Sequence, residues 1–238
     1  MTNSGPQQLS LGISHIDDAT FDNFYLAATS PNAIAVAAVR QQFAPLGEKF
    51  IYLWGGSGAG LTHLLQAACH QAQEQGHRIQ YLPLGAMLGF EPQHLLEGLD
   101  SQDLVCLDDV QLVTGKADWE LAIFHLFNRL RDSGKQLLLA ANLGPHQLAI
   151  ELPDLRSRLN SGISFGLQQL NDQEKCAALQ ERALRRGLEL TLEVARFILT
   201  RASRDMNELF HSLSKLDDAS LAEQRKLTIP FVKQVLGL

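Results

Sequence analysis

The sequence predicts an α/β protein: a parallel sheet with helices on both faces, followed by a small all-helical domain. Three observations predict it. A glycine-rich turn, Gly55-Gly56-Ser57-Gly58-Ala59-Gly60, joins an apolar run starting at Phe50 to a helical stretch starting near Thr62. A second apolar run, Leu104-Val105-Cys106-Leu107, ends in the acids Asp108 and Asp109. Strand-like runs alternate with helical ones over about 150 residues, and roughly 65 residues with helical signals and no strand follow. Such alternation builds parallel strands joined by helical crossovers.

Composition bounds the function. At 238 residues the chain holds one large domain, or an average one with a small companion. No run approaches the ~20 apolar residues of a membrane-spanning helix, and the N-terminus is polar rather than signal-like, so a cytoplasmic protein with no membrane partner is expected. The net charge of −6 argues against broad, nonspecific DNA binding but allows a partner that itself sits on DNA. Cys69, Cys106 and Cys176 lie in apolar periodic stretches and read as buried thiols in a reducing compartment. No paired Cys/His spacing for zinc is present, and His63 and His70 read as helix residues.

Residues 1–14 read as an arm, flexible over its first part, where Gly5 and Pro6 sit among polar residues. Within it, Leu9, Leu11 and Ile13 alternate after Gln8, with Ser10 between them, which suits either a short edge strand or a linear peptide docking into another protein's apolar pocket. Residues 15–169 read as the sheet domain. A helix is expected from about Asn32 to Phe43, then the strand at Phe50, then a helix from Thr62 to about Gln75 that stops before Gly76. Arg78–Leu84 is the next strand, with Pro83 limiting its end, and a short helix follows at Pro92–Leu99. After the two-acid strand comes an amphipathic helix over Asp118–Asp132, with Leu121, Phe124, Leu126, Phe127 and Leu130 among its apolar positions. Lys135–Ala141 is a buried strand ending at Asn142, a short helical stretch is expected after Pro145, and Ile163–Leu167 closes the sheet. Residues 170–238 read as the helical domain. Asn171 or Asp172 caps a helix reaching Arg186, and further helices are expected over Thr191–Ala202, about Asp205–Asp218 and Ile229–Leu236.

The chemistry gathers at the glycine turn. Gly55, Gly60 and Thr62 match the phosphate-binding loop G-x-x-x-x-G-K-[ST] at every fixed position except the lysine, where this chain has Leu61. Glycines let the backbone take positive φ and come close to a phosphate, and successive N–H groups with the following helix N-terminus form an anion cradle. The cradle is intact but lacks its charge. Asp108 and Asp109 lie where ligands bind in open α/β sheets, at the carboxyl end of a strand. Either they are a polar strand exit, or with Thr62 they form a Mg²⁺ site, one acid holding the ion through water.

These residues together resemble the AAA+ ATPases. Thr20-Phe21-Asp22-Asn23-Phe24, Phe50-Ile51-Tyr52 and Thr62-His63-Leu64-Leu65 resemble the bacterial replication initiator DnaA within that superfamily. Gln8-Leu9-Ser10-Leu11, Leu152-Pro153-Asp154-Leu155 with Ser157-Arg158-Leu159, and Arg225-Lys226-Leu227-Thr228-Ile229-Pro230-Phe231-Val232-Lys233 look like segments of the Hda family, the DnaA-related regulatory inactivators. The resemblance implies an AAA+ sheet domain with a helical lid, no initiator-type DNA-binding domain after residue 238, and a negative regulator of replication initiation. It implies that Gln8–Ile13 binds the sliding clamp, the β subunit of DNA polymerase III. It places Asp108 in the Mg-binding acidic motif, Asn142 at sensor 1 and Arg158 at an arginine finger supplied in trans to DnaA-ATP. Asn207 falls where the lid's sensor 2 arginine is expected, with Arg204 one turn earlier as a substitute. Since Leu61 and Asn207 both remove positive charge, ADP or another nucleoside diphosphate is expected at Gly55–His63, or no nucleotide, with little ATPase activity of the chain's own. A bridging adaptor and an autonomous ATPase are the alternatives, and a homo-oligomer is compatible with the family.

Overall fold

The structure is a computed structural model that describes residues 19–238, so the Gln8–Ile13 segment lies outside the described residues. Five strands, β1 (Phe50–Trp54), β2 (Ile79–Pro83), β3 (Leu104–Asp108), β4 (Gln136–Ala141) and β5 (Ile163–Gly166), form one parallel sheet in the order β2-β3-β4-β1-β5. A parallel sheet is covered on both faces, which is why β3 and β4 are buried at every residue and apolar apart from Asp108 at the end of β3 and Gln136 at the start of β4. Successive side chains alternate between faces: Val105, Leu107, Leu137 and Leu139 enter one core layer, and Cys106, Leu138 and Ala140 the other.

The second layer is closed by α1 (Ala33–Arg40) and α2 (Leu61–Glu74), the helix that follows the glycine turn. The first is closed by α3 (Leu84–Met87), α4 (Pro92–Leu96), α5 (Ala117–Asp132) and α6 (Pro153–Ser161). Cys69 of α2 and Cys106 of β3 are buried free thiols, their Sγ atoms 3.4 Å apart, and Cys176 is likewise buried and free. A third core belongs to α7 (Asp172–Arg185), α8 (Leu192–Arg201), α9 (Met206–Glu223) and α10 (Ile229–Leu236). Here α7 opens with a capping box between Asn171 and Glu174, and Thr191, Asp205 and Thr228 cap the other three.

Four expectations are corrected. The first helix ends at Arg40 rather than near Phe43, because Gln42 is buried and its Nε2 donates to the carbonyls of Lys49 and Leu137, turning the chain toward the sheet. No helix forms after Pro145. Leu148 and Ile150 alternate into the core there, which an irregular segment allows and a helix does not. In α5 the buried face is set by Trp119, Ile123, Leu126, Phe127 and Leu130, which leaves Leu121 exposed. Finally, α9 runs five residues past Asp218 to Glu223, where Gln224 at φ 53° ends it.

Candidate functional site

The glycine turn leaves the carboxyl end of β1 and enters α2 through Gly58 at φ 76° and Gly60 at φ 92°, left-handed conformations that glycine adopts without strain. Close approach matters as much. A Cβ added at Gly60 would lie 2.6 Å from the Phe24 ring, and one added at Gly55 would lie 2.8 Å from the Leu167 carbonyl. Gln169 Nε2 donates to the Ser57 carbonyl and steadies the loop. Leu61 borders the loop yet is partly buried against the α1–α2 core layer, so its side chain is held by apolar packing. His63 Nε2 meets the Thr20 carbonyl at 2.8 Å, and its ring packs edge-on with Phe24.

Asp108 ends β3 directly beside α2. Its Oδ2 accepts from the Thr62 hydroxyl at 2.7 Å and from the Tyr81 hydroxyl at 2.8 Å, while Oδ1 accepts the Asp109 N–H at 3.0 Å. Burial pushes the Asp108 carboxyl above its ordinary range; the Thr62 and Tyr81 hydroxyls act the other way, and the charge of Asp109 adds to the rise. Tyr81 is raised too, by burial and by the charge of Asp108. Asp109 takes a left-handed turn at φ 59°, tolerable for aspartate, and is exposed. Gln111 then links two strand ends: its Nε2 donates to Asp109 Oδ1 at 2.9 Å, and its Oε1 accepts the Asn142 N–H at 3.1 Å.

These groups line a single cleft of about 430 Å³. It gathers Gly55, Gly56, Ser57, Gly58, Ala59, Gly60, Leu61, Thr62, His63, Asp108, Asp109, Asn142 and Asn207, from three strand ends and the first turn of α9. The sequence assigned none of the remaining lining to the site, although Asn23 and Phe24 lie in the segment that carries the family resemblance. Asn23, Phe24 and Tyr25 come from the segment before α1, Leu170 from the segment between β5 and α7, and Met206 and Phe210 from the helical domain. Asn32 belongs here as well, buried and paired through both side-chain atoms with the Gln168 backbone at 2.9 Å. The aromatic run 24–25 beside a glycine loop was the available signal, but only the fold brings it across the loop. Arg204 does not turn inward. It pairs with Asp172 at 3.2 Å and is absent from the lining.

A phosphate chain would be held through the backbone N–H groups of the glycine turn, and a divalent ion would sit beside Thr62 and Asp108. The Thr62 hydroxyl gives its proton to Asp108 and keeps its lone pairs for a cation. Among the described residues no cluster of three His, Cys, Asp or Glu side chains could hold a metal, so such an ion would take the rest of its oxygens from phosphate and water.

Arg158 lies apart, on the last turn of α6, half-buried and outside the cleft lining. Among the described residues its side chain makes no ion pair, Asp154 included. Arg156 is engaged, its Nη2 donating to the Ile150 carbonyl. The entry to α6 is set by Glu120, a buried carboxylate that accepts the N–H groups of Gly115, Glu151 and Leu152 at 2.7 to 3.1 Å. Read from the sequence, Glu120 is one charge on an amphipathic helix.

Comparison with known proteins follows the same division. Residues 16–168 match the bacterial DnaA ATPase domain, and residues 172–236 match the Hda lid domain. The chain belongs to the DnaA-related AAA+ family. An uncharacterized protein from Haemophilus influenzae is 46% identical over 233 residues, 98% of this chain and 99% of that one. Domain III of Thermotoga maritima DnaA superposes with a TM-score of 0.76 over 93% of this chain and 96% of that domain, at 24% identity, a likeness of fold. AMPPCP-bound DnaA from Aquifex aeolicus has a TM-score of 0.70 and 29% identity, over 83% of this chain and 64% of its own. As an AAA+ protein of this family, the chain pairs its parallel sheet with a lid of the Hda type. None of its described helices is long and apolar enough to cross a membrane.

Proposed function

We propose that this chain is a negative regulator of replication initiation that switches off DnaA-ATP in trans. Docked on the DNA-loaded sliding clamp through Gln8–Ile13, it would present Arg158 to the ATP of a neighbouring DnaA and stimulate hydrolysis there. The observation that carries the reading is the state of Arg158: a guanidinium without an ion pair among the described residues, on α6, outside the cleft of its own chain. An arginine offers a fixed charge and a planar donor fork, which suits a developing phosphoryl charge on a partner.

Within the chain's own cleft the residues support binding rather than turnover. Thr62 and Asp108 would hold Mg²⁺, Asp109 would lie beside it, and the backbone from Gly58 to Thr62 would hold the phosphates of ADP or another nucleoside diphosphate. The bound ion would neutralise phosphate charge. Among the described residues no lysine or arginine lines the cleft, so the chain is proposed to stimulate a partner's ATPase and to have little of its own. Contact with DNA would be indirect, through the clamp.

The test is twofold. Nucleotide released from the purified chain is identified, and hydrolysis of DnaA-bound ATP is followed with and without loaded clamp. Stimulation that requires both the chain and the clamp is expected. Binding to clamp and DnaA without any stimulation would leave an adaptor, and steady ATP turnover without DnaA would make the chain an enzyme in its own right.

A further inference from the structure

Among the described residues the cleft is lined by two carboxylates, Asp108 and Asp109, and by no lysine or arginine. A third carboxylate, outside the lining itself, approaches the loop from the lid. Asp205 caps α9 with one oxygen, its Oδ1 accepting the N–H groups of Asn207 at 2.9 Å and Glu208 at 3.3 Å. The other oxygen is turned to the glycine loop: a Cβ added at Gly58 would lie 3.5 Å from Asp205 Oδ2 and 3.9 Å from the Met206 nitrogen. The N-terminus of an 18-residue helix thus faces the phosphate cradle, but with a full negative charge seated on it. The cations described near that charge are held on other groups: Lys175 Nζ donates to the Arg204 carbonyl at 2.6 Å. Arg204, the adjacent residue, is drawn away to Asp172, Leu61 is apolar, and Asn207 is neutral.

We propose that Asp205 is a specificity-determining residue: held against the phosphate loop by the lid, its carboxylate sets the cleft's preference for a nucleoside diphosphate over a triphosphate. The inference rests on the reading of the cleft as a nucleotide site. Repulsion from Asp205 grows with each added phosphate, and among the described residues no lysine or arginine lines the cleft to compensate it. In a partly solvated cleft at ordinary salt, one like charge several ångströms away changes relative affinity by about 3- to 10-fold.

The experiment measures dissociation constants of the full chain for ADP and ATP, each with Mg²⁺, by competition against a fluorescent nucleotide. Asp205→Asn keeps the helix cap, because asparagine caps as well as aspartate. It is expected to narrow the ADP-over-ATP preference by about 3- to 10-fold, with the change shrinking as salt is raised. Asp205→Ser, also a capping residue, gives the same direction should the asparagine variant fold poorly. Asp218→Asn, an exposed acid farther along α9, removes the same charge away from the loop and leaves the preference unchanged. An unaltered preference in both Asp205 variants, or an equal change in Asp218→Asn, overturns the inference while the nucleotide site stands. Failure of the unmodified chain to bind either nucleotide overturns both.

Discussion

At the residue scale the cleft is defined by single replacements. Leu61 stands where a phosphate loop carries its lysine, and its side chain is partly buried in the core layer beneath. A charge-assisted hydrogen bond contributes about 1.5–3 kcal/mol, so Leu61→Lys should tighten nucleotide binding on the order of 10- to 150-fold. The gain should be larger for ATP than for ADP, since that ammonium reaches the β- and γ-phosphates. No gain for either would show that the new side chain stays on the core, and equal gains would show that it reaches phosphates common to both nucleotides. Asp108 supplies a second prediction. Burial raises its folded pKa above the ordinary 3.8, so the folded state binds its proton more tightly than the unfolded chain does. Its contribution to stability is therefore full below 3.8 and is lost as pH rises through the folded pKa. Asp103 works in another window. The hydrogen bond from Lys135 lowers it to about 2, so its contribution is present above 3.8 and lost as pH falls toward that value. Thermal melts above pH 3.8 should show a decline in stability with rising pH that Asp108→Asn removes and Asp103→Asn does not.

At the element scale α6 is the telling case. Its nine residues include two arginines two positions apart, which the sequence alone ranks only by resemblance. The fold separates them: Arg156 braces the Ile150 carbonyl, whereas Arg158 has no ion pair among the described residues. Arg158→Ala should keep clamp binding and the melting temperature while stimulation of DnaA-ATP hydrolysis falls on the order of 10³-fold or more, as for fingers in related phosphoryl transfers. Arg156→Ala should instead cost stability, on the order of 1–3 kcal/mol, for a lost charged hydrogen bond. If stimulation falls with Arg156→Ala and survives Arg158→Ala, the roles are reversed.

At the scale of the whole molecule, the sheet domain, the lid and the arm are expected to act as separable parts. Replacing Leu9 and Leu11 by alanine should abolish clamp binding and leave the melting temperature nearly unchanged, because a docking peptide adds local concentration rather than core. A large fall in melting temperature would identify them as core strand residues. The parallel α/β sheet, the glycine loop, the acidic strand end and the all-helical lid are all legible in the chain before it folds. Each of these is written in local periodicity, where burial on both faces of a strand or one face of a helix dictates residue type over a few consecutive positions. What the tertiary structure alone decided is which distant groups share the cleft. Phe24 over Gly60, Tyr81 on Asp108, Gln111 between Asp109 and Asn142, and Asp205 against Gly58 meet only after the strands are ordered β2-β3-β4-β1-β5 and the lid is seated. Such meetings depend on crossovers and on the angle of the lid, and no short-range pattern encodes either. Glu120 makes the same point: its charge reads as a solvated helix position until three backbone N–H groups from other segments close around it.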